Sequence, residues 1–354
     1  MSPRSLGVEE EFLLVEPGTG RPQAVAGTIL RAARPELEGE LQEQQLETNS
    51  RPCQSLDELH RELRRCRAAA TQEAERVGAH VVALATSPVP VEPSPLRSER
   101  YERMAEDYGL TAQEQLTCGC HVHVGIESAE EGVAVLDRSG PWLAALLALS
   151  ANSPYWQGRE SSYASFRYQV WGRWPSSGPA GPFGTAQAYR ETITEMVQSG
   201  TIIDPGMVYF NARLSDRYPT IEVRIADVCL RTGDAVLIAG LVRALVETEA
   251  RAWRDGKLPP RARNELLRLA AWRASRSSVD GMLLDPGSWC PAPAADVLGR
   301  LVTHVTPALE DAGDLARVRE LLADVLGRGT GARAQRAAGD PAAAVAMAVR
   351  RTVV

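Results

Sequence analysis

The chain has 354 residues, a net charge of −6 and a sequence pI near 5.6. This acidic balance argues against nucleic acid as a partner, because phosphate binding needs a basic surface. The N-terminus lacks the apolar region of a signal peptide, and no apolar run approaches the ~18 residues of a membrane span. The six cysteines, at positions 53, 66, 118, 120, 229 and 290, are scattered. We therefore expect a cytoplasmic protein with no membrane partner and a core built from its 44% hydrophobic residues.

The pattern over Leu6–Val15 predicts a strand that carries two carboxylates on one face. In GVEEEF, Glu9 and Glu11 are two residues apart, so the period-two geometry of a strand sends both to the same side. Glu10 points to the other side. Because neighbouring like charges repel, the pair calls for an arginine or a hard metal ion nearby.

Four further elements are predicted before the proline-rich stretch that begins at position 88. A short helix is expected over Ile29–Glu40 and a strand over Leu41–Glu47. Ser55 and Glu58 form a capping-box pattern at the start of a long amphipathic helix. The run HVVALAT, His80–Thr86, predicts a buried strand.

A second polar pair lies in CGCHVHVGI, which predicts a strand over Thr117–Ile126. His121 and His123 share one face, and valines alternate onto the other. Zinc held by these histidines with Cys118 and Cys120 is the alternative. The cysteines have the opposite parity on a regular strand, so all four would meet one ion only if the strand were broken.

The segment Tyr155–Phe183 has little periodicity and predicts a cover over an active site. Two more strands are expected over Val208–Leu214 and Thr220–Val228. In the second, TIEVRIADV, apolar residues alternate with Glu222 and Arg224, which share the opposite face.

The remainder of the chain, 235–354, is predicted to be mainly helical, with a flexible break over GRGTGARAQRAAGD at 327–340. No internal repeat is visible. Residues 1–354 are therefore expected to form a single domain with strands first and helices last, an α+β fold.

If the polar faces of these strands adjoin, they form one sheet floor of carboxylates, imidazoles and an arginine, comprising Glu9, Glu11, Glu47, His121, His123, Glu222 and Arg224. Such a set suits Mg²⁺, or Mn²⁺, and the arginine suits a transferring phosphoryl group. Each pair alone has a plainer interpretation: a solvated strand face, a packed histidine, or an ion pair worth ~0.2–1 kcal/mol. Their conjunction favours a metal site.

Several motifs, in this order, resemble the carboxylate–amine ligases of the glutamate–cysteine ligase type 2 family. They are GVEEEF, ETNSRPCQSLDEL, CGCHVHVGI, WLAALLALSANSPYWQG, SYASFRYQVWGRWP and YPTIEVRIADV, over residues 5–250 or so. The resemblance implies a glutamine synthetase-like fold, in which a curved antiparallel sheet forms a catalytic funnel with helices packed on its outer face. It also implies ATP held by two or three Mg²⁺ ions, small-molecule substrates, and compatibility with a homodimer.

The resemblance also implies roles for individual residues. The implied metal ligands are Glu9, Glu11, Glu47, His121 and Glu222. Arg224 and Arg213 are implied contacts of the γ-phosphate, and together with Glu47 they form the expected catalytic set. His123 is expected on the cofactor or substrate side. A further acidic ligand is implied before Glu47, and both Glu40 and Glu43 fit that expectation.

In the expected reaction the γ-carboxylate of glutamate attacks the γ-phosphorus of ATP, which gives γ-glutamyl phosphate and ADP. An amino acid or amine, cysteine being the first expectation, then displaces phosphate and forms an amide. The sequence departs from the family pattern at Glu160-Ser161 and Phe210-Asn211, near the implied substrate pocket. These departures leave the substrates more open than the chemistry. The alternatives are the same ligase chemistry on a different acid and amine in specialised metabolism, a metal-dependent hydrolase, and a catalytically quiet binding protein.

Overall fold

The computed structural model describes residues 3–31 and 34–352, which combine long helices with an antiparallel sheet. The strands are β1 Leu6–Val15, β2 Leu37–Gly39, β3 Gln45–Asn49, β4 His80–Val82, β5 Gly119–Gly125, β6 Tyr155–Trp156, β7 Arg159–Glu160, β8 Ala212–Leu214, β9 Thr220–Asp227, β10 Met282–Leu284 and β11 Pro291–Pro293. The helices are α1 Ala26–Leu30, α2 Leu56–Arg76, α3 Glu99–Tyr108, α4 Leu110–Gln113, α5 Ala129–Ser150, α6 Phe166–Trp171, α7 Ala186–Gln198, α8 Thr232–Arg254, α9 Asn264–Ser277, α10 Ala294–Ala312, α11 Leu315–Arg328, α12 Gly331–Ala337 and α13 Pro341–Thr352.

The main sheet is antiparallel, with the strand order β2-β3-β1-β5-β9-β8, and β4 pairs with the far end of β1. Its register sets several of the predicted site residues opposite one another, including His123 opposite Glu222 across β5 and β9. Glu11 faces Glu47 across β1 and β3, and Glu9 faces His121 across β1 and β5. The sequence therefore correctly predicted that these polar strand faces adjoin.

The opposite face of the sheet is apolar and carries the helical layer. Val8, Val122 and Val223 belong to one buried cluster together with residues of α5 and α8. Helices α2, α5 and α8 pack against the strands, and α9, α10 and α11 pack outside them. This arrangement leaves the polar face of the sheet free to line a cavity.

The predicted helix start at Ser55 is confirmed, because its hydroxyl accepts a hydrogen bond from the backbone N–H of Glu58. Helix α5 is largely apolar and buried. An 18-residue window of it has a mean hydropathy of 1.2, enough by length and composition for a membrane span. Since 72% of that window is buried inside the fold, α5 has the surroundings of a core helix.

Two local predictions near the start of the chain were wrong in their bounds. The helix expected over Ile29–Glu40 is the shorter α1, and the chain forms β2 before Glu40; residues 32–33 lie outside the described part. The strand expected at Leu41–Glu47 begins only at Gln45, because residues 43 and 44 form a turn.

The predicted flexible break at 327–340 was also wrong, because most of this segment is helical and includes α12. Its glycines suggested flexibility, but Gly331 is buried against Asn152. A Cβ built on Gly331 would lie 2.0 Å from the Asn152 Oδ1 atom, so only glycine permits this close approach. Gln335 donates two hydrogen bonds to the same asparagine.

A buried ion pair fastens strand β1 to the rest of the fold. Glu10, on the apolar side of β1, accepts from Arg67 of α2 at 2.6 and 2.9 Å, and neither side chain is exposed by more than 1%. The same guanidinium donates to the carbonyls of Cys229, Leu230 and Thr352. The guanidinium of Arg67 therefore links helix α2 to strand β1, to the segment that follows β9 and to helix α13.

We expect Arg67→Met to lower the free energy of unfolding by about 3–5 kcal/mol, because it leaves the Glu10 carboxylate buried without a partner. Urea unfolding followed by circular dichroism measures this. The control is Arg64→Met on the exposed side of α2, expected to change stability by less than about 0.5 kcal/mol. Equal losses in the two variants would contradict a structural role for the pair.

Candidate functional site

A cavity of about 490 Å³ lies over the polar face of the main sheet. It is called here the acidic cavity, because its wall carries eight carboxylates. All the residues predicted from the sequence for the site line it, namely Glu9, Glu11, Glu47, His121, His123, Arg213, Glu222 and Arg224. They come from β1, β3, β5, β8 and β9, so the convergence is a product of the sheet register.

Three carboxylates form a first triplet. One oxygen each of Glu11, Glu40 and Glu47 lies within 4.8 Å of the others. The sequence left Glu40 and Glu43 as alternatives, and the structure favours Glu40. The carboxylate of Glu43 instead accepts a hydrogen bond at 2.8 Å from the backbone N–H of Gly27 in α1.

A second triplet joins Glu9, His123 and Glu222, also within 4.8 Å of one another. His123 pairs with Glu222 across β5 and β9, and its Nε2 lies 3.2 Å from Glu9 Oε1. The expected role of His123 on the cofactor or substrate side stays a prediction. A metal ion held by this triplet would have His123 as a ligand.

His121 lies between the two triplets. Its Nδ1 is 3.4 Å from Glu9, and its Nε2 is 3.4 Å from Glu11. A β-bulge between Cys120 and Val122 interrupts the pairing of β5 with β9 at this point. The prediction that His121 binds a metal stays a prediction, with either triplet in reach.

Burial and mutual repulsion disfavour the ionised form of the carboxylates in the first triplet. Burial, followed by the charge of Glu40, raises the pKa of Glu11 to about 7. Burial and the neighbouring carboxylates of Glu9 and Glu40 raise the pKa of Glu47 well above its ordinary value. A cation between these oxygens would remove the repulsion and allow all of them to ionise.

In the second triplet, neighbouring groups already offset part of the negative charge. Burial opposes ionisation of Glu9, but hydrogen bonds from His121 and His123 outweigh it and lower the pKa of Glu9. Burial, together with the charge of Arg224, lowers the pKa of His121 to about 4, which keeps this imidazole neutral. Neutral imidazole is the form that binds metals.

The donor set fits hard divalent cations. It offers carboxylate oxygens with one or two imidazoles, as Mg²⁺ and Mn²⁺ sites do. Within residues 3–31 and 34–352, the buried Nε2 atoms of His121 and His123 make no well-aligned hydrogen bond and have only the contacts with Glu11 and Glu9 given above. Buried polar atoms without partners are costly, and a bound ion or ligand would remove that cost.

The zinc alternative does not agree with the structure. Cys120 belongs to the apolar cluster behind the sheet, and Cys118 belongs to a second core cluster. Neither thiol lines the acidic cavity with His121 and His123. Strand alternation thus separates the two residue types, as their parity predicted.

Arg224 and Arg213 both bind Glu222. Arg213 donates through Nε at 2.8 Å and Nη2 at 3.3 Å, and its Nη1 donates to the carbonyls of Gly206 and Val208. With these donors engaged, the geometry favours Arg213 as a residue that positions Glu222. Its contact with a phosphate stays a prediction.

Arg224 is freer to reach a ligand. Its Nη1 donates to Glu222, while its buried Nε has no partner among the described residues. Its guanidinium carbon lies 5.9 Å from the ring centre of Trp171. Burial lowers the pKa of this guanidinium, but the charges of Glu222 and Glu11 raise it by more. The side chain of Arg224 therefore stays positively charged.

The segment Tyr155–Phe183 supplies part of the cavity wall, because Trp171 and Trp174 line it and Trp174 is buried. Its proposed movement as a cover stays a prediction. Sequence analysis missed another part of the wall, made by Arg100, Tyr101 and Asp204. These residues lie on α3 and in a loop, outside the alternating strands that revealed the other residues.

We expect Glu40→Gln to lower Mn²⁺ affinity at least about tenfold, because it removes an oxygen of the first triplet. Titration followed by electron paramagnetic resonance measures free Mn²⁺ directly. Glu43→Gln is the matched control, three residues away and bound to Gly27, and it should leave the affinity unchanged. A larger loss in Glu43→Gln would exclude the assignment of Glu40.

Solved structures with similar folds support the architecture. A glutamate–cysteine ligase from Francisella tularensis, solved in complex with AMP, has a TM-score of 0.71 at 13% identity, covering all of this chain and 89% of that one. A bifunctional glutathione synthetase from Pasteurella multocida has a TM-score of 0.70 at 18% identity, and this chain spans about half of its length (99% of this chain, 52% of that one). At these identities the likeness shows a glutamine synthetase-like α+β fold, as the sequence predicted.

Sequence relatives are much closer. A Streptomyces coelicolor protein that carries the provisional name glutamate–cysteine ligase 2 is 51% identical over 99% of both chains. A Streptomyces avermitilis protein provisionally named glutamate–cysteine ligase 2-1 is 53% identical over 94% of both. The model of glutamate–cysteine ligase family 2 matches residues 5–344. The chain therefore belongs to glutamate–cysteine ligase family 2 and is a ligase of the carboxylate–amine type.

Proposed function

We propose that this protein is an ATP- and Mg²⁺-dependent ligase that activates the γ-carboxylate of glutamate as γ-glutamyl phosphate and joins it to an amine, with cysteine as the first candidate. The observation that carries the proposal is the pair of metal-suited triplets on one sheet floor beside Arg224. Family membership supports ligase chemistry, and the geometry supplies groups suited to nucleotide phosphates.

The first triplet, with Glu11, Glu40 and Glu47, and the second, with Glu9, His123 and Glu222, would hold the divalent cations. When bound there, Mg²⁺ supplies positive charge that offsets the charge of the phosphate oxygens. The glutamates lie on paired strands, except Glu40, which directly follows β2. Their positions are therefore set before any ligand arrives.

Arg224 would act on the transferring phosphoryl group. It is fixed by Glu222 and Trp171, keeps its Nε free within the described part of the chain, and points from the same strand face as Glu222. A preorganised guanidinium of this kind stabilises charge that develops in the transition state without having to reorganise.

The aromatic wall would protect an activated carboxylate. At the side of the cavity the ring of Tyr209 contacts those of Trp171 and Trp174, and Trp174 and Tyr209 are buried. Apolar surface there limits the access of water, which would otherwise compete with the amine.

We propose the cytoplasm as the compartment, since the reaction consumes ATP. The homodimer stays a prediction.

The deciding experiment incubates the protein with ATP, Mg²⁺ and glutamate, adds a panel of amines, and follows ADP together with the mass of the products. We expect ADP release that depends on the amine and a product of matching mass. Substrate cleavage without an amine would favour a metal-dependent hydrolase instead. A productive pair other than glutamate and cysteine would keep the ligase chemistry and correct the substrates.

In the same assay, Arg224→Ala should lower turnover by about 10²–10³-fold, while Mg-ATP binding measured by calorimetry changes little. Arg190→Ala, on the exposed side of α7, is the control and should retain turnover. If Arg224→Ala weakened ATP binding as much as turnover, a role in the transition state would be refuted.

A further inference from the structure

We propose that a second cavity, where the start of α8 and the ends of α11 and α13 meet α12, binds a phosphate group. It is called here the basic pocket, because four of its nine lining residues are arginines, Arg231, Arg328, Arg333 and Arg351. It shares no residue with the acidic cavity. The inference goes beyond the proposed function and does not rest on it, since the ligand binds without turnover.

The wall of the basic pocket carries four positive charges and, within the described part of the chain, no carboxylate. This is the reverse of the protein as a whole, whose net charge is −6. Like charges around one cavity repel each other, and a bound anion would offset that repulsion. The cavity has a volume of about 260 Å³, below the roughly 300–1,000 Å³ of a pocket for a drug-sized ligand. Its size and its charge therefore suit a small anion.

One of the four arginines is already fully engaged by the protein. Arg328, the last residue of α11, donates through Nη2 to Asp234 and through Nε to Asp324 at 2.6 Å. Its Nη1 donates to the carbonyl of Gly329 at 2.8 Å. We therefore treat Arg328 as a rigid part of the wall that contributes charge but few free donors.

The other three arginines keep donors for a ligand. Arg333 donates to Asp280 through Nη2, and its side chain is 45% exposed. Within residues 3–31 and 34–352, the side chains of Arg231 and Arg351 form no ion pair and no hydrogen bond, although both residues are half-buried at the pocket wall. Partly desolvated guanidinium groups without an acceptor gain more from an anion than fully exposed ones do.

The arrangement of these donors favours phosphate over a single carboxylate. Arg231 precedes α8, Arg333 lies within α12, and Arg351 lies at the end of α13, so they approach the pocket from three separate elements. The planar fork of an arginine matches the paired oxygens of both carboxylates and phosphates. A carboxylate offers two oxygens in one plane, whereas a tetrahedral phosphate offers oxygens in several directions. A phosphate can therefore bind all three arginines at once.

The backbone beneath the pocket is fixed from inside the fold. The carbonyls of Leu230 and Thr352, each next to one of the free arginines, both accept from Arg67 at 3.2 Å. This contact holds the start of α8 beside the end of α13. Arg231 and Arg351 are thus brought together before a ligand arrives, which lowers the entropic cost of binding. A phosphate between them would join the same two elements from the outside.

The test is a calorimetric titration with inorganic phosphate, at an ionic strength held constant with sodium chloride so that screening stays the same. No divalent metal is added, so the carboxylates of the acidic cavity repel phosphate there. We expect one saturable site in the wild-type protein, and an affinity at least roughly tenfold lower in the double variant R231A/R351A. The matched control is R350A, which removes the exposed neighbouring arginine of the same helix, outside the basic pocket, and should leave the affinity unchanged.

Three further titrations identify the site and the ligand. R224A should bind phosphate as the wild-type protein does, because Arg224 lines the acidic cavity alone. Citrate should bind more weakly than phosphate, and tighter binding of citrate would overturn the choice of a phosphate group. Glycerol 3-phosphate distinguishes the sources of the group: tighter binding than inorganic phosphate supports a phosphate ester, and equal or weaker binding supports the free ion.

Crystals soaked in selenate, a tetrahedral dianion with an anomalous signal, locate the site directly, and we expect a peak between Arg231, Arg333 and Arg351. Circular dichroism verifies the fold of each variant. If the double variant does not fold, the single variants R231Q and R351Q take its place, each with an expected loss of roughly three- to tenfold.

The inference would be overturned by a wild-type protein without saturable phosphate binding, or by equal affinities in the wild-type protein and R231A/R351A. Loss of binding in R224A, or a selenate peak only in the acidic cavity, would also overturn it. None of these measurements depends on turnover, so their outcome is separate from that of the proposed function.

Discussion

The structure depends on bringing several carboxylates together where water cannot screen them. Paired strands set Glu11 opposite Glu47, and Glu9 opposite His121. Like charges at such positions destabilise a sheet by themselves. They persist because imidazoles and arginines offset part of the repulsion, and because a cation would offset the remainder. We therefore expect a bound cation to stabilise this part of the fold.

Strand register is what makes this arrangement possible. A slip of one residue would turn Glu9 and Glu11 into the apolar core and bring Glu10 into the cavity. Glu10 opposes that slip, because its buried contact with Arg67 ties the other face of β1 to α2 and to the end of the chain. The same strand therefore carries acids that line the cavity on one face and an acid buried in an ion pair on the other.

Much of this follows from the sequence, since alternation along a strand is a local property. The parity of Glu9 with Glu11, and of Glu222 with Arg224, predicted which side chains share a face, and the sheet confirmed it. The choice between Glu40 and Glu43 could not be predicted in this way, because both lie near a turn whose path depends on α1. The bulge that interrupts the pairing of β5 with β9 beside His121 could not be predicted either, because it leaves no mark in the residue pattern.

Other features of the structure could not be predicted from local sequence patterns, for a different reason. Arg100 and Asp204 are separated by more than a hundred positions and meet only through tertiary packing. The glycines near position 330 indicated flexibility, although Gly331 serves close packing against Asn152. Composition shows that a residue is small, but it does not show which neighbour requires it to be small.

Anomalous diffraction from crystals grown with Mn²⁺ and a non-hydrolysable ATP analogue tests the central claim most directly. The account predicts a peak between Glu11, Glu40 and Glu47, and another between Glu9, His123 and Glu222, with the nucleotide phosphates beside them. Peaks elsewhere, or an acidic cavity without bound manganese, would contradict it.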